Sequence, residues 1–193
     1  VAEASFVKGA AILCALALSA CGAGSESGEG GDALAASGGM PKNWPGNWKA
    51  TDACSVLDKA AVSAELKVEV AETQLGLVNE PGEQTAATSE CVYVTSDGSR
   101  VASLMTRWSP INDNTAEVIA TARSTTASAM SAFTDSKIED IAGVGKSAFI
   151  VPGINQLNVF LDDARMIVLT VEKVPDGASG KDVTVALARK AGA

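Results

Sequence analysis

The sequence contains no histidine. That removes the commonest general base near neutral pH and the commonest nitrogen ligand for transition metals, so a catalytic or metal-binding reading starts without its usual residue. Clustered cations are missing too. The 15 Lys and Arg residues are scattered among 23 Asp and Glu residues, for a net charge of -8 and an isoelectric point near 4.6. A phosphate backbone is held by basic stripes, so no nucleic-acid partner is expected. Aromatic residues make up only 4% of the chain, with a single tyrosine. Nor is there an apolar run of the roughly 20 residues that a bilayer-spanning helix requires. What remains is 193 residues with 47% hydrophobic content, enough to bury one core, with the ends left to do something else.

The first end has a recognisable form. Gly9 to Ala20 reads GAAILCALALSA, an apolar stretch of signal-peptide length that is too short to remain as a membrane span. The next step, Leu18-Ser19-Ala20-Cys21, resembles the bacterial lipobox, in which an apolar and two small residues precede a cysteine that is acylated before cleavage. Residues 1–20 are therefore expected to be a lipoprotein signal and Cys21 the lipidation site, because two acyl chains on one thioether hold a protein to a membrane where one chain binds only marginally. The competing reading is an ordinary secretory signal with a coincidental cysteine. Gly22 follows Cys21 where an Asp commonly retains lipoproteins at the inner membrane of Gram-negative cells. The resemblance thus implies the outer membrane, facing the periplasm, in such a host, and otherwise the outer face of the cell membrane.

Residues 22–39 are Gly, Ser or Ala at 14 of 18 positions, the composition of a flexible linker. A tether is expected over 21–49, with the composition already changing at Met40, and a single domain over 50–193. Trp44 and Trp48, separated by Pro-Gly, suit either a sugar or peptide docking surface or, more ordinarily, packing on their own domain. The cysteines sort by position: Cys14 leaves with the signal and Cys21 takes the lipid. Cys54 and Cys91 remain as an even pair in an oxidising compartment, and are predicted to form a disulfide.

Within the domain the periodicity alternates between helix and strand. Asp58 is expected to cap a short helix ending at Leu66, with Val62 and Leu66 on one face. Strands are expected at Val68–Val70, Cys91–Thr95 and Val101–Trp108, the last two joined by Asp97-Gly98. Asn114-x-x-Glu117 reads as a capping box for a helix running to about Phe133, with Ile119, Ala122, Thr126, Met130 and Phe133 recurring at helical spacing. It is expected to be the main core helix. Three more strands follow at Ala148–Val151, Leu157–Leu161 and Met166–Val171, then a helix capped by Ser179 and ending in Arg189-Lys190. The fold class is α+β: a mostly antiparallel sheet with helices on one face, arranged as two βββα halves, with one disulfide.

Asp52-Ala-Cys54-Ser-Val-Leu57, Ser89-Glu-Cys91-Val-Tyr93 and Gly143-Val-Gly145-Lys-Ser-Ala148 resemble a cysteine-pair family of bacterial lipoproteins of uncharacterised activity, best known from actinobacteria. The resemblance spans about residues 50–190 and implies location and fold. The family's Leu-Gly after its first helix is Leu66-Lys67 here.

Few residues point to chemistry. Gly145-Lys146-Ser147 looks like the end of a phosphate-binding loop, but Asp140 stands where the first glycine belongs and a strand follows instead of a helix. No serine has a histidine to activate it. Asp162 and Asp163 are read as turn residues rather than an acid and base pair, and Asn112-Asp113-Asn114 as a helix start. Met105, Met130 and Met166 are read as core filler, and Arg100, Arg107, Arg123 and Arg165 as solvated, unless the fold gathers them into an anion site. The expectation is a non-enzymatic envelope lipoprotein that binds the membrane through its lipid and an envelope protein or small ligand through its domain, without cofactor or metal. The alternatives are a carboxylate-dependent envelope enzyme and a carrier of a small apolar ligand.

Overall fold

Strand alternation divides this molecule into two faces, only one of which carries the main core. The computed structural model describes residues 44–46, 48–133, 135 and 137–193, all within the unit 37–193. The signal sequence, Cys21 and most of the tether lie outside the described residues. In chain order the elements are α1 (Ala53–Val56), α2 (Lys59–Leu66), β1 (Glu72–Asn79), β2 (Ala87–Val94) and β3 (Arg100–Trp108). Then come α3 (Ala116–Met130), β4 (Glu139–Asp140), β5 (Ser147–Val151), β6 (Gln156–Phe160), β7 (Arg165–Val171) and α4 (Gly180–Lys190). The strands form one antiparallel sheet in the order β1-β2-β3-β7-β6-β5-β4. The fold is α+β, with Cys54 bonded to Cys91.

Two meanders, β1-β2-β3 and β5-β6-β7, meet at the central β3 and β7 pair, so the strand order of the second half mirrors the first. Residues directly opposite on paired strands share a face. The register therefore places Leu75, Cys91, Leu104, Leu169, Leu157, Ile150 and Glu139 in one row, and Gly76, Glu90, Met105, Val168, Asn158, Phe149 and Asp140 in the next row on the other face.

The first face carries the core. Leu57, Val62, Leu66, Tyr93, Leu104, Leu157, Leu169 and Leu187 bury together there, with α1 against β2 and β3, α4 against β6 and β7, and α2 against α4. A polar knot fastens the chain ahead of α1. Ser89 Oγ donates to the Ala50 carbonyl at 2.7 Å and accepts from the Ala53 amide at 2.8 Å, and Thr106 Oγ1 donates to the same carbonyl at 2.9 Å. The lone tyrosine, Tyr93, donates to the Leu57 carbonyl at 2.6 Å. Burial, and secondarily the charge of Asp58, push its pKa above the normal phenol value.

Several expectations change. Asp58 and Ser179 cap their helices as read, but α1 was not anticipated. Val68–Val70 is not a strand. Its backbone donors are taken by Ser63 instead of a ladder, the Val68 amide by its carbonyl and the Val70 amide by its hydroxyl. The first strand begins at Glu72 and was missed because its apolar residues are exposed: β1 is an edge, with Leu75 and Leu77 47% and 70% accessible. The tiny β4 adds a fourth strand to the second half. The ordered domain reaches back past residue 50, as the change of composition at Met40 suggested, since Trp48 is buried in the core and Trp44 packs against it.

The largest correction concerns α3. The expected core helix has no buried residue, and Phe133, beyond its end, is 85% exposed. Its cap is Thr115, whose hydroxyl accepts from the Val118 amide at 3.2 Å, and not Asn114. The helical spacing was real: Ile119, Ala122, Thr126 and Met130 form a half-buried stripe. What periodicity does not reveal is which surface that stripe meets.

Lys67 ends α2 in the left-handed region, with φ 52. A side chain there costs on the order of 1 kcal/mol relative to glycine, the residue that the resembled family places at this point. Lys67→Gly is expected to stabilise the domain by about 0.5–1 kcal/mol, read as a rise in urea midpoint at unchanged m-value. An unchanged or lower midpoint would count against a strained cap.

Candidate binding site

Two regions concentrate polar and aromatic groups, one at a corner of the main core and one on the opposite face of the sheet. The first is the corner where the described chain begins. Trp44 meets Trp108 edge-on at 4.8 Å between ring centroids, and the Arg165 guanidinium lies 5.8 Å from the centre of the Trp48 ring. Beside them a cleft of about 510 Å³ is lined by Pro45, Trp108, Asn112, Asp162, Asp163, Ala164 and Arg165. The tryptophans thus mainly secure their own domain, in keeping with the more ordinary of the two readings. A larger hollow of about 700 Å³ runs along the outer turns of α2, lined mostly by exposed residues.

The charges at this corner are matched to one another. Asp162 Oδ1 accepts from the Ala164 and Arg165 amides at 2.9 and 2.7 Å, and its Oδ2 from Arg165 Nε at 2.7 Å. Asp163 instead accepts from Lys146 Nζ at 2.5 Å, so the adjacent carboxylates face different cations. The turn reading holds. Asn114, buried, donates to the Asp162 and Arg165 carbonyls at 2.9 and 3.0 Å, a staple between the β6–β7 turn and the segment before α3 that replaces its expected capping role. Lys146 Nζ also donates to the Asn114 carbonyl at 2.8 Å, which gives the lysine of the Gly-Lys-Ser loop a structural task.

Burial pushes the Asp162 carboxyl up, but the backbone amides of Arg165 and Ala164 and the Arg165 side chain together hold it below the usual carboxylate range. Asp113 is lowered chiefly by its hydrogen bonds from Arg107, against a smaller opposing effect of burial. A carboxyl depressed in the folded state contributes stability that is present above its unfolded pKa of about 3.9 and lost as pH falls through the lower folded value. Stability is therefore expected to hold from neutral pH down to about pH 5 and to decline below about pH 4. Asp162→Asn is expected to flatten that decline while lowering stability at pH 7, as read by chemical denaturation across pH. An identical acid limb in the variant would remove Asp162 from this role.

The second region is the sheet face opposite the core. Arg107 lies on it, since it pairs with Met166 and sits two residues from Met105. It holds Asp113, just ahead of α3, through two bonds of 2.9 and 2.5 Å. Asp140 lies on it too and holds Arg123, in the middle of α3, at 2.6 and 3.2 Å. From β3 to β4 is four strand spacings, about 19 Å, and the stretch from Asp113 to Arg123 combines three steps ahead of α3 with about 10 Å of helix rise from Ala116 to Arg123. Long side chains bridge the difference, so α3 runs across the strands of this face. Meanwhile α4 grips the same edge from the core side, where Lys181 meets Glu139 at 2.9 Å. The neighbouring acids of β4 thus point to opposite faces, and each is clamped by a different helix.

Beneath this crossing the face is apolar. Phe149 and Phe160 are almost fully buried, yet they belong to no part of the main core cluster. Met105, Met166 and Val168 remain half-exposed. Among them, facing Phe149 on one side and Val168 on the other, is Asn158, 7% accessible, whose Nδ2 is buried without a hydrogen-bond partner. Met105, Met130 and Met166, read as core filler, all lie outside the core, because two of them point to the second face and one rides on α3. The four arginines are not gathered into an anion site: each has its own carboxylate, Glu172 for Arg100, Asp113 for Arg107, Asp140 for Arg123 and Asp162 for Arg165. Asn158 was missed altogether. Its only signal was an amide interrupting the apolar alternation of Leu157-Asn158-Val159-Phe160.

Among the described residues no cluster of three His, Cys, Asp or Glu side chains has metal-binding geometry, and no helix is long and apolar enough to cross a membrane. Comparison with protein-family models, with curated proteins and with solved structures finds no match.

Proposed function

We propose that the chain is an envelope lipoprotein, fastened to the membrane through acylated Cys21, whose domain acts by binding rather than by turnover. The Leu18-Ser19-Ala20-Cys21 pattern supports the anchor. The observation that carries the binding reading is the second sheet face, which bears half-exposed Met105, Met166 and Val168 and to which a helix without a buried residue is clamped through Arg107 and Asp140. A helix whose apolar stripe is only half buried and whose mid-helix clamp is an exposed ion pair costs little to displace, and low local stability of this kind is where binding segments are found. Methionine side chains adapt to varied apolar shapes. At the tryptophan corner, by contrast, the Asp162 carboxylate is engaged by turn amides and Arg165, and Asp163 by Lys146.

Two measurements test the reading. Cell fractionation is expected to place the wild-type protein with membranes, carrying a diacyl mass on residue 21, and to release Cys21→Ser. Native mass spectrometry of protein taken from its own envelope is expected to show non-covalent mass that solvent extraction removes. An unmodified residue 21 in membrane-free protein would sink the anchor, and equal masses before and after extraction would sink the binding role.

A further inference from the structure

We infer that the face under α3 holds an uncharged, ester-bearing acyl lipid, with Asn158 donating a hydrogen bond to the ester carbonyl. The inference rests on the binding reading above and names its ligand class. Three observations carry it. Asn158 Nδ2 is a buried donor without a partner, a state that costs on the order of 1–3 kcal/mol unless an acceptor arrives. The side chains around it by register are apolar at Phe149, Val168, Met105, Phe160 and Met166, and the neighbouring polar pair on this face is already joined, Gln156 Nε2 donating to Thr170 Oγ1 at 3.3 Å. The cations nearest this face, Arg107 and Arg123, are committed to Asp113 and Asp140. A carboxylate placed beside Asn158 would therefore be desolvated without a counter-charge, whereas a neutral carbonyl needs only the one donor that is present.

The apolar strip from β3 to β5 spans three strand spacings, about 14 Å, long and narrow as an acyl chain is. Entry requires α3 to lift. Its fastenings allow this, since Asn114 and the pair of Arg107 and Asp113 fix the N-terminal end while Arg123 and Asp140, which form the clamp further along, are both substantially exposed. Displacing the half-buried stripe of Ile119, Ala122, Thr126 and Met130 exposes apolar surface that a lipid chain covers again.

The test uses the full chain and the full chain carrying Cys21→Ser, both solvent-extracted, so that acyl groups on the protein itself are controlled. The probes are pyrene-decanoic acid methyl ester, the free pyrene-decanoate and the matching pyrene-alkane, followed by fluorescence titration. The ester is expected to bind at least tenfold more tightly than the other two, and to slow hydrogen exchange of α3 amides. Asn158→Leu keeps the side-chain volume and removes the unpartnered amide, so it should fold at least as stably. In that variant the ester is expected to lose about tenfold in affinity while the alkane stays within twofold. An ester affinity unaltered by Asn158→Leu, tightest binding by the carboxylate, or no binding of the ester at all would each overturn the inference. The anchor and the extractable mass measured on envelope protein are read separately, so this lipid assignment and the broader binding role fail by different results.

Discussion

Cys54→Ser combined with Cys91→Ser is expected to lower the folding free energy by roughly 4 kcal/mol, the loop-closure value for two residues 37 apart. For a domain of this size that is a fall in melting temperature on the order of 10 °C. The position of the bond explains why it matters. α1 is a single turn of four residues with no side-chain cap, far below the length at which a helix sustains itself. It stays against β2 through the disulfide, the Ser89 bond to the Ala53 amide and the Tyr93 bond to the Leu57 carbonyl. Breaking the covalent link leaves the Tyr93 bond and the Ser89 and Thr106 knot at Ala50 and Ala53, each bond contributing about 1 kcal/mol, together with the burial of Trp48 and Leu57, to hold this segment on the core. Urea denaturation of the double variant is the direct measurement. A change below about 1 kcal/mol would mean that the segment is held by other means.

Gly145→Ala carries the second large expected effect, a loss of about 3 kcal/mol. Gly145 has φ +59, and a Cβ there would stand 2.6 Å from the Phe160 carbonyl oxygen and 2.7 Å from a Val159 methyl group. The first obstacle is backbone, in a strand at the centre of the second meander, and cannot rotate away. The neighbouring Lys146 amide donates to that same carbonyl at 2.7 Å, so moving it apart breaks the bond that joins the loop to β6. Gly143→Ala is the control: its φ is also positive, at +73, but a Cβ there meets nothing within 4 Å. It should cost only the conformational part, about 1–2 kcal/mol. Equal losses at the two positions would show that close packing at Gly145 is unimportant. The Gly-Lys-Ser segment, which looks like a nucleotide-binding remnant in the sequence, thus has a complete mechanical account.

The hairpins were legible because their chemistry is local. Asp97-Gly98, with Gly98 at φ 82, turns β2 into β3. The Asp97 carboxyl is lowered to about 2, chiefly by the Thr95 hydroxyl with help from Ser99. Ser179 and Asp58 declare two helix starts in the same way. Asn114 misled for an equally physical reason: a short polar side chain ahead of a helical pattern suits a cap, but here a distant turn, 48 residues further on, claims its amide. The edge strand β1 escaped notice because its apolar residues lie exposed on a sheet edge and give no clean alternation of apolar and polar residues.

Composition, periodicity and turn chemistry were enough for an α+β domain with one bridge between its remaining cysteines, because each depends on neighbours a few residues apart or on simple counting. Which face each helix covers was decided only by the assembled sheet. The stripe on α3 and the stripe on α4 obey one helical rule, yet Arg123 and Lys181 bind adjacent residues of β4 that project in opposite directions. That choice depends on strand register across the whole sheet, and it is what leaves Asn158 buried and unpaired under α3.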